Sequence, residues 1–267
     1  MSHDVNHLSA SSLKTYQQCP KQFFYDYISD IDGIEDDGVE HFQVGNSVHD
    51  SAQNVLERGE DVLSLSEEDL LEELREEELS LDYDYDDSEK VQTCLEFAAK
   101  FISKYVTSIT TVEDKLEMHQ DGIHFSGYAD LIGDIDDDLS DVVIDWKTGK
   151  ENPEWKERIQ GGMYVKMFYE EYGSWPESIR FVYLNEGTQS VHNRVSDGEV
   201  MWNDHQNKYW DEIQGYISNI QTDAYNEEWE AKPESSKCHW CSFKYACDSY
   251  IGSETSKPEQ IEISGVI

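Results

Sequence analysis

The segment DVVIDWKTGK at 141–150 ends an apolar run in a carboxylate and an ammonium, Asp145 and Lys147, two residues apart. Side chains two apart on a strand share a face. The pair therefore sits side by side at the end of the strand built on Val142, Val143 and Ile144, where burying charge is costly unless something compensates it. A surface ion pair ahead of a Thr148-Gly149 turn is the plainer reading of this segment alone. A second carboxylate, Asp130, lies between Ala129 and Leu131 in another strand-like segment, FSGYADLIG. Adjacent antiparallel strands would bring Asp130 and Asp145 together. Two carboxylates at one place repel unless they share a proton or a divalent cation, and Mg²⁺ or Mn²⁺ takes oxygen ligands of this kind. In a chain so rich in acids, a single aspartate is weak evidence by itself.

Two helical segments add polar groups. His49, in GNSVHDSAQ, stands one position from an apolar stripe of Val48, Ala52, Val55 and Leu56. Its imidazole is expected to be partly buried, most simply as a structural histidine. Gln160 and Tyr164 are one helical turn apart and share a face, and both can hydrogen-bond phosphate oxygens. The five cysteines are Cys19, Cys94, Cys238, Cys241 and Cys247. An odd count in a chain whose opening lacks a secretory leader argues against a disulfide scaffold. Cys238, Cys241 and Cys247 form C-x2-C-x5-C, which points to metal ligation; thiolates suit zinc and iron–sulfur clusters alike. Cys94 falls in an amphipathic helix and reads as a small buried hydrophobe.

These groups need a scaffold. Residues 8–28 read as a capped helix interrupted at Cys19-Pro20, 45–59 as a second helix and 66–80 as a strongly acidic one. A polar linker at 81–90 leads to an amphipathic helix at 91–106, with Leu95, Ala98, Phe101, Ile102 and Tyr105 inward. The periodicity then turns to strands at 112–119, 123–134 and 141–149, the last two joined by an Asp-rich turn at 134–141. A helix at 154–172, strands at 178–187 and 189–196, and a long helix at 197–222 follow. The cysteine segment at 237–250 comes after Pro233, and a polar tail covers 252–267. That order implies an α/β fold with a mixed sheet. A doubly wound dinucleotide fold is excluded, since no G-x-G-x-x-G follows a strand.

The length, 267 residues, accommodates one large domain, and 16 Tyr, 7 Trp and 9 Phe give the 37% hydrophobic fraction a real core. No run approaches the ~18 apolar residues of a membrane span, so a soluble, cytoplasmic protein without a membrane partner is expected. Acidic residues outnumber basic ones 58 to 20, for a net charge of −38, and they are spread along the whole chain between ordinary periodic segments. This favours a folded protein adapted to high salt, of haloarchaeal or haloarchaeal-viral type, over an acidic disordered binding protein. At molar salt the Debye length falls to ~3 Å and self-repulsion is screened.

Taken together, a helical His49, the strand Gly127 to Asp130, Asp145-x-Lys147 and Gln160-x3-Tyr164 occur in one order and at separations that resemble the RecB-like branch of the PD-(D/E)XK nuclease superfamily. The opening LSASSLKTYQQCPKQFFYDYI resembles that branch as well. The cysteine pattern is similar to a subset, including the AddB nuclease domain and CRISPR adaptation nucleases, in which an early cysteine joins a C-terminal C-x2-C-x5-C around a 4Fe-4S cluster. The resemblance spans roughly residues 8–250. It implies a restriction-endonuclease-like core, a central mixed β-sheet flanked by helices, with an N-terminal helical region and a C-terminal iron–sulfur segment. The expected organisation is a single nuclease domain over 1–251, a helical insertion at about 60–108, segment 237–250 joined to Cys19, and a flexible tail at 252–267.

The same resemblance implies a Mg²⁺ or Mn²⁺ site on His49, Asp130, Asp145 and the backbone carbonyl of Trp146, with Glu113, or second to it Glu117, as a further acid. Lys147 would orient or deprotonate the attacking water, and Gln160 and Tyr164 would position the DNA backbone. Cys19, Cys238, Cys241 and Cys247 would hold the 4Fe-4S cluster, with zinc as the substitute. The expected activity is that of a metal-dependent DNA nuclease, a RecB-like exonuclease on single strands or duplex ends, in DNA repair, recombination or viral DNA processing. DNA is the expected partner, with a separate helicase or recombination protein as a further one; any unwinding motor must be a separate chain, since no G-x-x-x-x-G-K-[ST] motif is present. A CRISPR adaptation nuclease is the alternative within this class. A non-catalytic DNA-binding or assembly module, or an acidic adaptor with a zinc knot, is the alternative outside it. Lys147, Lys150, Lys156, Arg158 and Lys166 would supply local positive charge. Tyr16, Phe23, Phe24 and Tyr25 would offer bases a stacking surface or else form core.

Overall fold

The computed structural model describes residues 5–34, 39–84, 87–136, 139–152, 154–194, 202–203 and 206–251. The chain divides into two compact units, one of Asn6–Ala10 and Gly38–Gly215, the other of Met1–Val5, Ser11–Asp37 and Tyr216–Ile267. No helix among the described residues is long and apolar enough to cross a membrane.

The first unit is built on a long hairpin. Strands β2 (Val106–Gln120) and β3 (Ile123–Ile135) run antiparallel from Gln120 opposite Ile123. Asp121 and Gly122 alone make the turn, both with positive φ (52° and 80°), the conformation that a tight twisted hairpin demands. Strand β4 (Leu139–Lys147) pairs antiparallel with β3, and β5 (Ser178–Tyr183) pairs parallel with β4. Parallel strands need a crossover, supplied by helix α6 (Glu154–Tyr172). Strand β6 (Thr188–Asn193) closes the β5 edge antiparallel, and the short β1 (His7–Leu8) pairs parallel with β3 at His124 and Phe125. The result is a mixed six-stranded sheet flanked by helices, the restriction-endonuclease-like arrangement expected from the sequence.

The helices of 39–105 do more than interrupt the sheet. Helix α3 (Val39–Leu56), a 3-10 turn at Glu60–Ser64, α4 (Glu67–Ser80) and α5 (Ser88–Tyr105) share one apolar cluster with the sheet. Val48, Ala52, Leu70, Leu74, Leu95, Ala98 and Ile102 pack there with Val142, Ile144, Trp146 and Val182. Phe101 meets Trp146 edge to face at 5.5 Å. Each large aliphatic side chain so buried stabilises the fold by about 1.5–3 kcal/mol. Cys94 is fully buried in this cluster, as expected, and burial pushes its thiol up to about 11. Ser66 caps α4 by accepting from the Asp69 N–H, and Asp87 caps α5 by accepting from Lys90 N–H. The α5 helix therefore starts inside the segment expected to be a linker. It runs straight into β2, which begins six residues earlier than the alternating pattern announced.

The segment 197–222 is not one helix. A two-stranded ribbon, β7 (Trp202–Asn203) with β8 (Gln206–Asn207), occupies part of it, and helix α7 (Lys208–Asn226) begins only afterwards. Two contacts decide this. The Trp202 indole is fully buried and donates to the Pro176 carbonyl at 2.8 Å. Asn207 Oδ1 accepts from the Trp210 N–H at 3.0 Å, which fixes the helix start.

In the second unit, Pro20 splits the opening helical segment into α1 (Ala10–Gln18), which begins at the unit boundary, and α2 (Pro20–Tyr27). Cys19 is the N-cap of α2 and proline its first residue, where a missing N–H costs nothing. The aromatic residues form core rather than a stacking surface for bases. Phe23 is fully buried against Tyr16 and Trp229, Phe24 stacks on Trp229, and Tyr25 stacks on Phe243 at 5.2 Å. Tyr16 is buried too, its hydroxyl donating to Asp223 Oδ2 at 2.6 Å. Helix α8 (Ser235–His239) carries Cys238. The tail at 252–267, expected to be flexible, lies outside the described residues.

Candidate metal centre and active site

The sheet register places three carboxylates in a row. Val112 faces Leu131 and Asp114 faces Ala129, so Glu113 lies across from Asp130. Leu131 faces Ile144, and one step further the same register sets Asp130 against Asp145. Helix α3 adds His49, whose Nδ1 is 3.1 Å from Asp130 Oδ1. His49, Glu113 and Asp130 each offer a ligand atom within 4.8 Å of the others. Glu113 adopts a left-handed backbone (φ 49°), which disfavours a non-glycine residue by about 1–2 kcal/mol. Glu117, the second expectation for this role, pairs instead with Lys115 and His124 well along the strand.

The electrostatics are those of crowded anions. Glu113 is pushed up to about 7, by burial first and then by the facing Asp130 charge. For His49, burial works against the charged imidazolium, but Asp130 and Asp145 outweigh it and hold the group at about 9. Burial also opposes the charge on Asp130; His49, Lys147 and the Trp146 N–H together keep its carboxyl below the usual range. A half-buried imidazole and two carboxyls that must share protons to coexist are a donor set that a divalent cation satisfies. A hollow of about 380 Å³ opens in front of them, lined also by Gly45, Asn46, Asp50, Gln53 and Thr148.

Asp145 faces a different set of partners. Its Oδ2 meets the Lys147 ammonium. Its Oδ1 accepts from Gln160 Nε2 at 2.5 Å and lies 2.7 Å from the Tyr164 hydroxyl. Tyr164 is buried, with its hydroxyl also 2.6 Å from the Tyr128 carbonyl, and Gln160 Nε2 donates to it at 2.9 Å. Lys147 Nζ donates to Gln160 Oε1 at 3.3 Å. Gln160 and Tyr164 are therefore turned to the sheet and to Asp145. Gly127 lies under this contact: a Cβ there would lie 3.2 Å from Met167 Cε and 3.8 Å from the Tyr164 ring.

The sequence-predicted residues thus converge, in two adjoining groups. His49, Glu113 and Asp130 form one; Asp145, Lys147, Gln160 and Tyr164 form the other. The Trp146 N–H on Asp130 links them. The expected basic neighbourhood is thinner. Arg158 is engaged by Glu154 and Glu212, and Lys166 by Glu170. Asn46 and Gln53 were not foreseen, although they stand three before and four after His49 on one helix face, the spacing that makes neighbours.

In the second unit, Cys19, Cys238, Cys241 and Cys247 line one hollow, joined there by Lys21, Tyr25, Lys232, Lys237 and Lys244. The Lys232 N–H approaches Cys19 Sγ at 3.4 Å. Burial first, then the charges of Cys247, Asp248, Cys241 and Cys19, push the Tyr25 hydroxyl up to about 12, as expected where thiols gather.

A mixed sheet whose adjacent strands present Asp130 and Asp145-x-Lys147, with a helical histidine closing an acidic cation pocket, defines a class: α/β proteins built for divalent-metal phosphodiester chemistry. The profile of the PD-(D/E)XK nuclease superfamily matches residues 7–248, and the chain belongs to that superfamily of metal-dependent nucleases. No curated relative matches. Among solved structures, one described as the crystal structure of SSO0001 is similar at 13% identity and a TM-score of 0.41, covering 93% of this chain and 88% of that one.

Proposed function

We propose that this protein is a Mg²⁺- or Mn²⁺-dependent deoxyribonuclease of the RecB-like branch that works on single strands or duplex ends in concentrated salt. The observation that carries the reading is the row Glu113–Asp130–Asp145 with His49 above it and Lys147 beside it. His49, Glu113 and Asp130 would hold the ion, joined across the strand by Asp145 and the Trp146 carbonyl. When bound, the ion neutralises phosphate charge and lowers the pKa of a water. Lys147, held between Asp145 and Gln160, places a positive charge where the attacked phosphate gains negative charge. Gln160 and Tyr164 act one step back from the substrate by fixing the Asp145 carboxylate.

Cys19, Cys238, Cys241 and Cys247 would hold a 4Fe-4S cluster in the second unit. The hollow they share and the N–H on Cys19 Sγ support this assignment, since N–H groups stabilise thiolate sulfur around a cluster. Its role would be structural, closing residue 19 onto 238–247. The −38 charge supports adaptation to molar salt, where the counterion term in DNA affinity is already small.

The test is degradation of end-labelled linear single-stranded DNA and of a covalently closed circular duplex, in concentrated KCl with Mn²⁺ and with a chelator. Linear DNA should disappear with Mn²⁺ alone. A circle cut as fast as the linear form would remove the end or single-strand preference, and DNA binding without turnover under any divalent ion would return the chain to a non-catalytic module.

A further inference from the structure

We infer a second metal site, for a transition ion of the Zn²⁺, Co²⁺ or Ni²⁺ class, on Glu117, His119 and His124 at the hairpin end of the sheet, with His7 beside them. The register creates it. His119 on β2 stands directly opposite His124 on β3, and His124 directly opposite His7 on β1. Three imidazoles thus form a ladder across three strands. Directly opposed residues have Cβ atoms about 4.5–5.5 Å apart, within the reach of two imidazoles that share one ion at about 2.0–2.1 Å each.

The rings are already close: His119 and His124 stack with centroids 4.6 Å apart, and His7 lies 5.1 Å from His124. Glu117, two before His119 on the same face, brings Oε1 to 2.8 Å from His124 Nε2. His7 is anchored by Nε2 at 2.8 Å from Ser126 Oγ. His7 and His119 are exposed, so their rings can turn toward an ion without disturbing the core. Lys115, now 2.6 Å from Glu117 Oε1, is the cation that an ion would displace.

Two imidazoles and one carboxylate select Zn²⁺, Ni²⁺ or Cu²⁺ over Mg²⁺, whereas the Glu113–Asp130 pocket with its oxygen donors suits Mg²⁺ or Mn²⁺. The sites are separate: His124 is six residues along β3 from Asp130, about 20 Å at strand rise. An ion here would fasten the short β1 strand to the hairpin.

The experiment is equilibrium dialysis of the full chain against Zn²⁺ in concentrated KCl with saturating Mg²⁺, beside a Co²⁺ absorption spectrum. H119A/H124A should bind one Zn²⁺ fewer per chain than the parent. E117Q, a change at a half-exposed side chain outside the core, should bind the same ion at least about tenfold more weakly. A Cys238→Ser/Cys241→Ser variant should lose thiolate-to-Co²⁺ charge-transfer absorption and keep the histidine-bound ion. Parental stoichiometry in the double histidine variant together with parental affinity in E117Q would overturn the assignment.

Discussion

The Tyr164 hydroxyl lies 2.7 Å from Asp145 Oδ1 and 2.6 Å from the Tyr128 carbonyl, so one proton on helix α6 serves two acceptors on neighbouring strands. Removing it leaves the Asp145 carboxylate held by Gln160 and Lys147 alone. Tyr164→Phe should lower the DNA cleavage rate by about 10–100-fold, the usual consequence of losing a partner of a ligating group, with KM for DNA nearly unchanged. A KM effect alone would instead place the hydroxyl on the substrate.

Glu113 and Glu117 separate two accounts of the acidic strand. Glu113→Gln should weaken Mn²⁺ binding at the Asp130 pocket by about 10–100-fold, while Glu117→Gln should leave it unchanged. Mn²⁺ titration of each variant by paramagnetic resonance reads this directly.

At Gly162 α6 lies directly against α7: a Cβ there would lie 2.6 Å from Tyr209 Cβ and 2.8 Å from Ile213 Cδ1. Gly162→Ala should destabilise the fold by about 1–3 kcal/mol through overpacking, seen as a lower midpoint in denaturant. It should also slow cleavage, because α6 carries Gln160 and Tyr164.

Glu157 predicts an acid-sensitive component of stability. Burial opposes its charge, but His192, Tyr183 and Ser190 donate to it and hold its carboxyl below the usual range. A depressed carboxyl contributes stability above the unfolded value, about 4.3, and loses it as pH falls through the folded value. Glu157→Gln should therefore lose the most relative to the parent near neutral pH, by about 1–3 kcal/mol, and the gap should narrow in acid. Parallel stability curves from pH 7 to pH 4 would contradict this.

The cysteines make a spectroscopic prediction. Anaerobically purified parent and Cys94→Ser proteins should both be brown, and Cys19→Ser should not. Cys94 is packed in the core of the sheet unit, whereas Cys19 lines the shared hollow.

How much of this was legible follows from the periodicities. Asp145 and Lys147 share a face because strands repeat every two residues, and nothing in the tertiary structure alters that. The same repeat left Glu113 and Glu117 equivalent: both odd positions point one way, and only the register with β3 sets Glu113 against Asp130. Gln160 and Tyr164 were legible as one helix face, but not as a face turned to Asp145. Helix α6 is buried along Gly161, Gly162, Met163, Val165 and Met167 as well, so it carries no amphipathic contrast to say which side meets the sheet. Strand β1 is two residues long, too short for any pattern. The ribbon ahead of α7 was obscured because the burial of Trp202 depends on a distant partner, the Pro176 carbonyl.

The central claim is that the carboxylates of β2, β3 and β4 hold one catalytic cation beside Lys147. The most direct measurement is Mn²⁺-dependent cleavage of linear DNA by the Asp145→Ala and Lys147→Ala proteins, each first shown by circular dichroism to be folded. Both should be inactive under conditions in which the parent degrades the substrate completely. Cleavage by folded Asp145→Ala at the parental rate would contradict the account.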